Sequence, residues 1–249
     1  MPFVSAVKST IKSIVPRAAF EKFRRLRLKP EINKYKNMKD NQAVFDSVYT
    51  DLVWQQGTDS NSASGDGSDG PWLDETVKYI IESKFLEGKT VLEIGCGVFS
   101  FGSKICSHAK QYIAGDVSGV VIEQNTQQYG SISNVQFVQI DATCDTLPQA
   151  DVVIIRQVLQ HLPNEMVMGV LTQIEAMKPS KVIVFEDVPS GDFEPNRDLE
   201  TPGPFTRHMV GSGLDLSKPP FERNFRTTKN WLHPRHPQVP ARLVCYELN

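Results

Sequence analysis

The segment Val91-Leu-Glu-Ile-Gly-Cys-Gly-Val-Phe-Ser-Phe-Gly102 constrains this chain more than any other. A short apolar run carries Glu93 near its end, Gly95 and Gly97 follow, and a helical pattern begins near Ser100. Strand, tight glycine turn and helix in that order make one unit of an open α/β sheet. Glycines at the carboxyl end of the strand let the backbone come close to a ligand. Two ligand classes compete for such a loop. Gly95-x-Gly97-x-x-Ser100 falls one residue short of a dinucleotide fingerprint, and Asp116 stands where that motif expects a ribose acid. The acid two residues ahead of Gly95 favours a ligand whose near end is positively charged, because a pyrophosphate would be repelled there. The ammonium and sulfonium of S-adenosyl-L-methionine have that character.

The chain then alternates. Strands are expected at Thr90–Ile94 and at residues 111–115, 135–140, 151–155, 181–185 and 242–248. Helices are expected at 100–108, at 118–129 behind a serine cap, and at 163–177 with proline in the first turn. This pattern implies an α/β fold, a Rossmann-like doubly wound sheet of about seven mostly parallel strands with an N-terminal helical extension.

The 249 residues, 40% hydrophobic and 22% charged, suit one soluble α/β domain plus an extension. No apolar run approaches the roughly 18 residues of a membrane span. The net charge of −2 is unevenly spread: residues 1–39 carry +9 and the remainder −11. Val4, Val7, Ile11, Ile14, Val15 and Ala18 recur at helical spacing among lysines. Residues 1–39 therefore read as a basic amphipathic arm that packs on the acidic body or contacts a protein or anionic membrane. The expected location is cytoplasmic, with peripheral membrane contact left open to the arm. Nucleic acid is not an expected partner, since the body is acidic. Cys96, Cys106, Cys144 and Cys245 lack metal-ligand spacing and read as free thiols, so no metal is expected. Residues 40–249 form the expected domain, opened by a helix over 40–54. The Gly/Ser/Asp-rich residues 55–70 and the Gly/Pro-rich residues 187–222 are its long loops.

Polar residues at successive strand ends turn a weak motif into a specific one. Glu93 stands at the end of the first strand, Asp116 is placed to accept ribose hydroxyls, and Asp141 to take an adenine amino group. Arg156 and Gln157 follow the fourth apolar core. With these residues the chain resembles the class I S-adenosylmethionine-dependent methyltransferases over Val91–Gly97, Ala114–Asp116, Phe137–Ala142 and 151–162. Phe99 stands where a third glycine is frequent.

A narrower resemblance is to small bacterial-type members of that class. It rests on Phe45–Tyr49 with Trp54, Ser64-Gly-Asp-Gly-Ser68, Arg156-Gln-Val-Leu-Gln-His-Leu162 and Leu214-Asp-Leu-Ser-Lys-Pro-Pro-Phe221. Gln157 replaces an aspartate usual in that run. The resemblance turns residues 55–70 from a linker into a lid over the cofactor's methionine end. It implies S-adenosyl-L-methionine held by Ser64, Gly65, Gly67, Ser68, Glu93, Gly95, Cys96, Gly97, Asp116, Val117, Asp141, Ala142, Arg156 and Gln157.

Methyl transfer needs a nucleophile held in line with the departing sulfur, and the cofactor carries the reactivity. His161 is the candidate general base for a hydroxyl acceptor, because histidine titrates near neutrality, and Arg156 is its candidate partner. Glu186 and Asp187 are reserve bases, while Arg207 and His208 in the long loop are candidates to face the acceptor. Ile154-Ile-Arg-Gln157 stands where an amino-methylating tetrad would lie, which disfavours adenine or glutamine methylation. The expected activity is O-methylation of a small molecule or glycan. The competing class is a non-catalytic binding protein that keeps the cofactor pocket and acts through its basic arm.

Overall fold

The structure is a computed structural model that describes residues 29–55, 64, 71–233 and 240–247. Strands β1 (Thr90–Ile94), β2 (Gln111–Asp116), β3 (Val135–Gln139), β4 (Val152–Arg156), β5 (Lys181–Asp187), β6 (Arg226–His233) and β7 (Ala241–Glu247) form one sheet. Its order is β3-β2-β1-β4-β5-β7-β6. The first five strands run parallel, β7 is antiparallel to β5, and β6 is antiparallel to β7. The strand order reverses between β1 and β4, and open α/β sheets place ligands at such a switch point.

The period of two along each strand divides the core. Leu92, Ile94, Val153, Ile155, Val182 and Val184 join one apolar cluster. Val91, Val152, Ile154, Ile183 and Phe185 join a second on the opposite face. Both faces are covered, so these strands read as nearly continuous apolar runs.

Helix α1 (Asn41–Thr50) begins at Asp40, whose carboxylate accepts from Ala43 N at 2.9 Å. Asp46 ties α1 to the start of α4 (Gly119–Tyr129) by accepting from Ser118 Oγ at 2.6 Å and Val120 N at 3.4 Å. Helix α2 spans Pro71–Ser83 and buries Trp72, Leu73 and Ile80 in the second cluster. The helix expected over 100–108 is shorter: α3 covers only Gly102–Ile105 and tightens into a 3-10 turn at Cys106–His108. Helix α5 (Asn164–Met177) starts after Pro163, which occupies its N-cap.

Ahead of α1, helical residues 29–36 lie on the arm side of the boundary expected at residue 40. Tyr35 is buried in the first cluster, with Ile32 and Met38 packed against it. Residues 1–28 of the arm lie outside the described residues, as do Gly65, Gly67 and Ser68. No helix among the described residues is long and apolar enough to cross a membrane.

Two buried polar side chains shape the long loop after β5. Asn196 donates to the carbonyls of Asp215, Lys218 and Pro219 at 2.7, 3.3 and 3.0 Å and accepts from Asp215 N at 2.8 Å. Arg207, fully buried, donates to the carbonyls of Arg197 and Leu162, both at 2.6 Å. Arg207 therefore faces main chain and not an acceptor. Asn196→Ala removes these bonds from the loop and places alanine at φ 58°. The expected loss is about 2–4 kcal/mol, read by urea unfolding.

Candidate active site

A cavity of about 270 Å³ opens at the carboxyl ends of β1–β4. Its wall runs from Asn41, Asp141, Ala142 and Thr143, past Asp116, Val117, Gly95 and Gly97, to Arg156 and Gln157. It ends among Trp54, Gln160, His161, Asp187, Pro204 and Thr206. Ser64 and Tyr49 close one side. Among the described lining residues three carboxylates face one guanidinium.

The loop after β1 is shaped for close approach. Gly95 has φ 76°, and a Cβ there would stand 2.1 Å from Val158 Cγ2. Gly97 has φ 52°, and its Cβ would meet Ser64 Oγ at 2.6 Å. Ser64 in turn accepts from Val98 N at 3.0 Å, so the one described residue of the serine-glycine segment sits on the glycine loop. Phe99 adopts φ 59°, a conformation glycine takes without strain. Its buried ring holds it there, in edge-to-face contact with Tyr112, Tyr129 and Phe137 at 5.9, 5.3 and 4.9 Å.

Asp116 accepts from Gly97 N and Ser118 N, both at 3.0 Å, and couples the ends of β1 and β2. Burial pushes its carboxyl above the ordinary value against those bonds. Asp141 accepts from Asn41 Nδ2 at 2.8 Å and from Thr143 N and Oγ1 at 2.9 and 2.7 Å. Asn41, Phe45, Tyr49, Trp54 and Thr143 line the cavity without having been singled out as site residues. Asn41 follows a visible N-cap aspartate, but nothing local connects it to Asp141, 100 residues away.

Glu93 and Cys96 do not line the cavity. Glu93 shares a strand face with Val91, inside the second cluster, and is fully buried. It accepts from Tyr112 OH at 2.9 Å and lies 4.0 Å from Arg156 Nε. Burial pushes its carboxyl up to about 7, with Arg156 and Tyr112 pulling the other way. The guanidinium of Arg156 lies over Phe101 at 5.7 Å and reaches the cavity wall. The carboxylate nearest the glycines therefore lies behind Arg156, off the cavity wall. Gln157 has φ 54° and donates to Asp187 Oδ1 at 3.1 Å.

His161 stands in the 3-10 turn Leu159–His161 that follows β4. Glu186 takes two main-chain groups of that turn, Leu159 N at 3.0 Å and Gln160 N at 3.1 Å. Gly203 N donates to His161 O at 3.3 Å. The imidazole meets Phe205 O through Nδ1 at 3.0 Å, Gln160 Nε2 through Nε2 at 3.3 Å, and the Trp54 ring at 5.4 Å. Burial lowers its pKa to about 4, so the titration near neutrality expected of it does not arise here.

Residues 92–179 match the family model described as a methyltransferase domain. This is the Rossmann-like methyltransferase fold. No curated protein sequence matches the chain. Among solved structures, the chain is similar to the N-methyltransferase NodS from Bradyrhizobium japonicum in complex with S-adenosyl-L-homocysteine. That likeness has a TM-score of 0.59 and 14% identity over 81% of this chain and 98% of the other. It is also similar to magnesium protoporphyrin IX methyltransferase (ChlM) from Synechocystis with bound S-adenosylmethionine. There the TM-score is 0.57, with 16% identity over 86% and 99% of the two chains.

Two buried groups at the His161 end of the cavity set opposite pH limits on the stability of the fold. Burial pushes the Glu186 carboxyl up to about 8 from an ordinary 4.5. Its contribution is complete below about pH 4.5 and is lost as pH rises through about 8. His161 is lowered from 6.5 to about 4, so its contribution is complete above 6.5 and lost as pH falls through about 4. The Tm should fall by roughly 5–10 °C between pH 6 and pH 8.5. Glu186→Gln should flatten that fall while lowering Tm at pH 6, and scanning calorimetry across the range reads both.

Proposed function

We propose that the chain is a methyltransferase that uses S-adenosyl-L-methionine and methylates a small molecule or glycan at a hydroxyl oxygen. One observation carries this reading. A single cavity joins the carboxylates Asp116 and Asp141, the glycine loop and an imidazole-lined end, and its lining acids outnumber its one guanidinium. That charge suits a cationic sulfonium and disfavours a pyrophosphate.

The residues fit such a ligand. Gly95 and Gly97, at positive φ and with no room for a Cβ against Val158 and Ser64, keep the loop's backbone at the cavity wall, and Asp116 is placed for ribose hydroxyls. Asp141, oriented by Asn41 and Thr143, is placed for the adenine amino group, with Ala142 and Val117 beside it. Ser64, Tyr49, Arg156 and Gln157 would receive the methionine end. Glu93 acts here by orienting Arg156. When bound, the cofactor supplies an electrophilic methyl group on sulfur. Trp54, Leu162, Pro204 and Thr206 wall the other end, where the acceptor would be held away from water. The cofactor-bound states of NodS and ChlM, which share the fold, add support.

Isothermal titration tests the cofactor. S-adenosylmethionine and S-adenosylhomocysteine should bind and NADH should not, and Asp116→Ala should weaken binding at least tenfold, about 1.4 kcal/mol or more. Tight NADH binding with no retention of either adenosyl compound would overturn the reading.

A further inference from the structure

We propose that Gln160 and His161 form a fixed donor–acceptor pair that selects a hydroxyl group on the acceptor. The inference rests on the methyltransferase reading and specifies the acceptor's chemistry at the same site.

The main chain fixes both side chains. A backbone N–H can only donate, so the Gln160 atom 2.8 Å from Asp187 N is its carbonyl Oε1. The amide nitrogen of Gln160 is thereby turned toward His161 Nε2, 3.3 Å away. A backbone carbonyl can only accept, so His161 Nδ1, 3.0 Å from Phe205 O, carries the ring proton. Nε2 therefore keeps its lone pair. Burial, which lowers the imidazole pKa, keeps the ring neutral around pH 7.

The turn that carries the pair is braced on every side. Glu186 holds its Leu159 and Gln160 N–H groups, Arg207 holds Leu162 O, and Gly203 N holds His161 O. The ionisable neighbours are themselves engaged, Glu186 with main chain and Asp187 with Gln157. Both members of the pair line the cavity.

At 3.3 Å their mutual contact is long for an N–H donor, and the amide nitrogen has a second hydrogen to give. A hydroxyl set against the pair donates to Nε2 and accepts from the amide, so both polar groups are satisfied. An ammonium satisfies Nε2 alone and sets its charge against the amide N–H. A carboxylate satisfies the amide alone and meets the Nε2 lone pair. The Trp54 ring, 5.4 Å from the imidazole, with Leu162 and Pro204, favours a hydroxyl borne on an apolar or aromatic body.

The test uses ¹⁵N-histidine-labelled full chain saturated with S-adenosylhomocysteine. His161 should show a protonated Nδ1 and an unprotonated Nε2 throughout pH 6–8. Benzyl alcohol, benzylamine and benzoate are then titrated at pH 7. Benzyl alcohol should shift Nε2 and bind at least tenfold more tightly than the other two. Gln160→Glu, which replaces the donor by an anion, should reverse the preference toward benzylamine. An Nε2-protonated or charged ring at pH 7, equal binding of the three probes, or no binding of benzyl alcohol would overturn the proposal. The wild-type spectra decide the matter even where a variant does not fold. Failure to bind S-adenosylhomocysteine would instead overturn the methyltransferase reading itself.

Discussion

Strands β1, β2, β4 and β5 are packed on both faces, so an unpaired polar side chain within them costs roughly 2–7 kcal/mol. That constraint sends polar groups to the carboxyl ends of the strands, where the cavity opens. Asp116, Arg156 and Asp187 are terminal strand residues, and Asp141 lies just past the end of β3. The reversal of strand order between β1 and β4 gathers these ends around one cavity. Glu93 is the exception that displays the rule. Standing one residue short of the strand end, it needs Tyr112 and Arg156 beside it, and burial still drives its carboxyl toward the neutral form.

The His161 end of the cavity follows a different logic, with side chains fixed by main chain. Glu186, Gln160 and Arg207 each bond backbone groups within or beside the turn after β4. A site on an irregular turn would ordinarily be loose. Here the long segment after β5 folds back to supply Gly203, Phe205 and Arg207, so the turn is held from both sides. Preorganisation of this kind places a ligand contact without reorganisation at the moment of binding.

Much of this architecture was legible in the residues. β1 was expected at its observed bounds, because apolar runs punctuated by glycine and strand-end acids identify parallel strands. β6 was not expected, since Arg226-Thr-Thr-Lys-Asn230 has little apolar content and becomes a strand only by pairing with β7. Asp116, Asp141, Arg156 and Gln157 were found by position at strand ends, and all four line the cavity. The placement of Glu93 could have been read from period two, which puts it on the face opposite Ile94. The low basicity of His161 could not, because it arises from burial in the folded chain, against which the main chain of Phe205, more than 40 residues downstream, pulls the other way. Asn41 was illegible for the same reason: its partner Asp141 is near only in the folded chain.

Trp54 gives the molecule a property unrelated to chemistry on a substrate. The other two tryptophans lie away from the cavity, Trp72 in the second apolar cluster and Trp231 on the edge strand β6. Only Trp54 lines the cleft, edge-on to Tyr49 at 5.3 Å and beside a neutral imidazole. Its indole emission is therefore an intrinsic optical gauge of what occupies the cleft, with the remaining two tryptophans supplying a constant background.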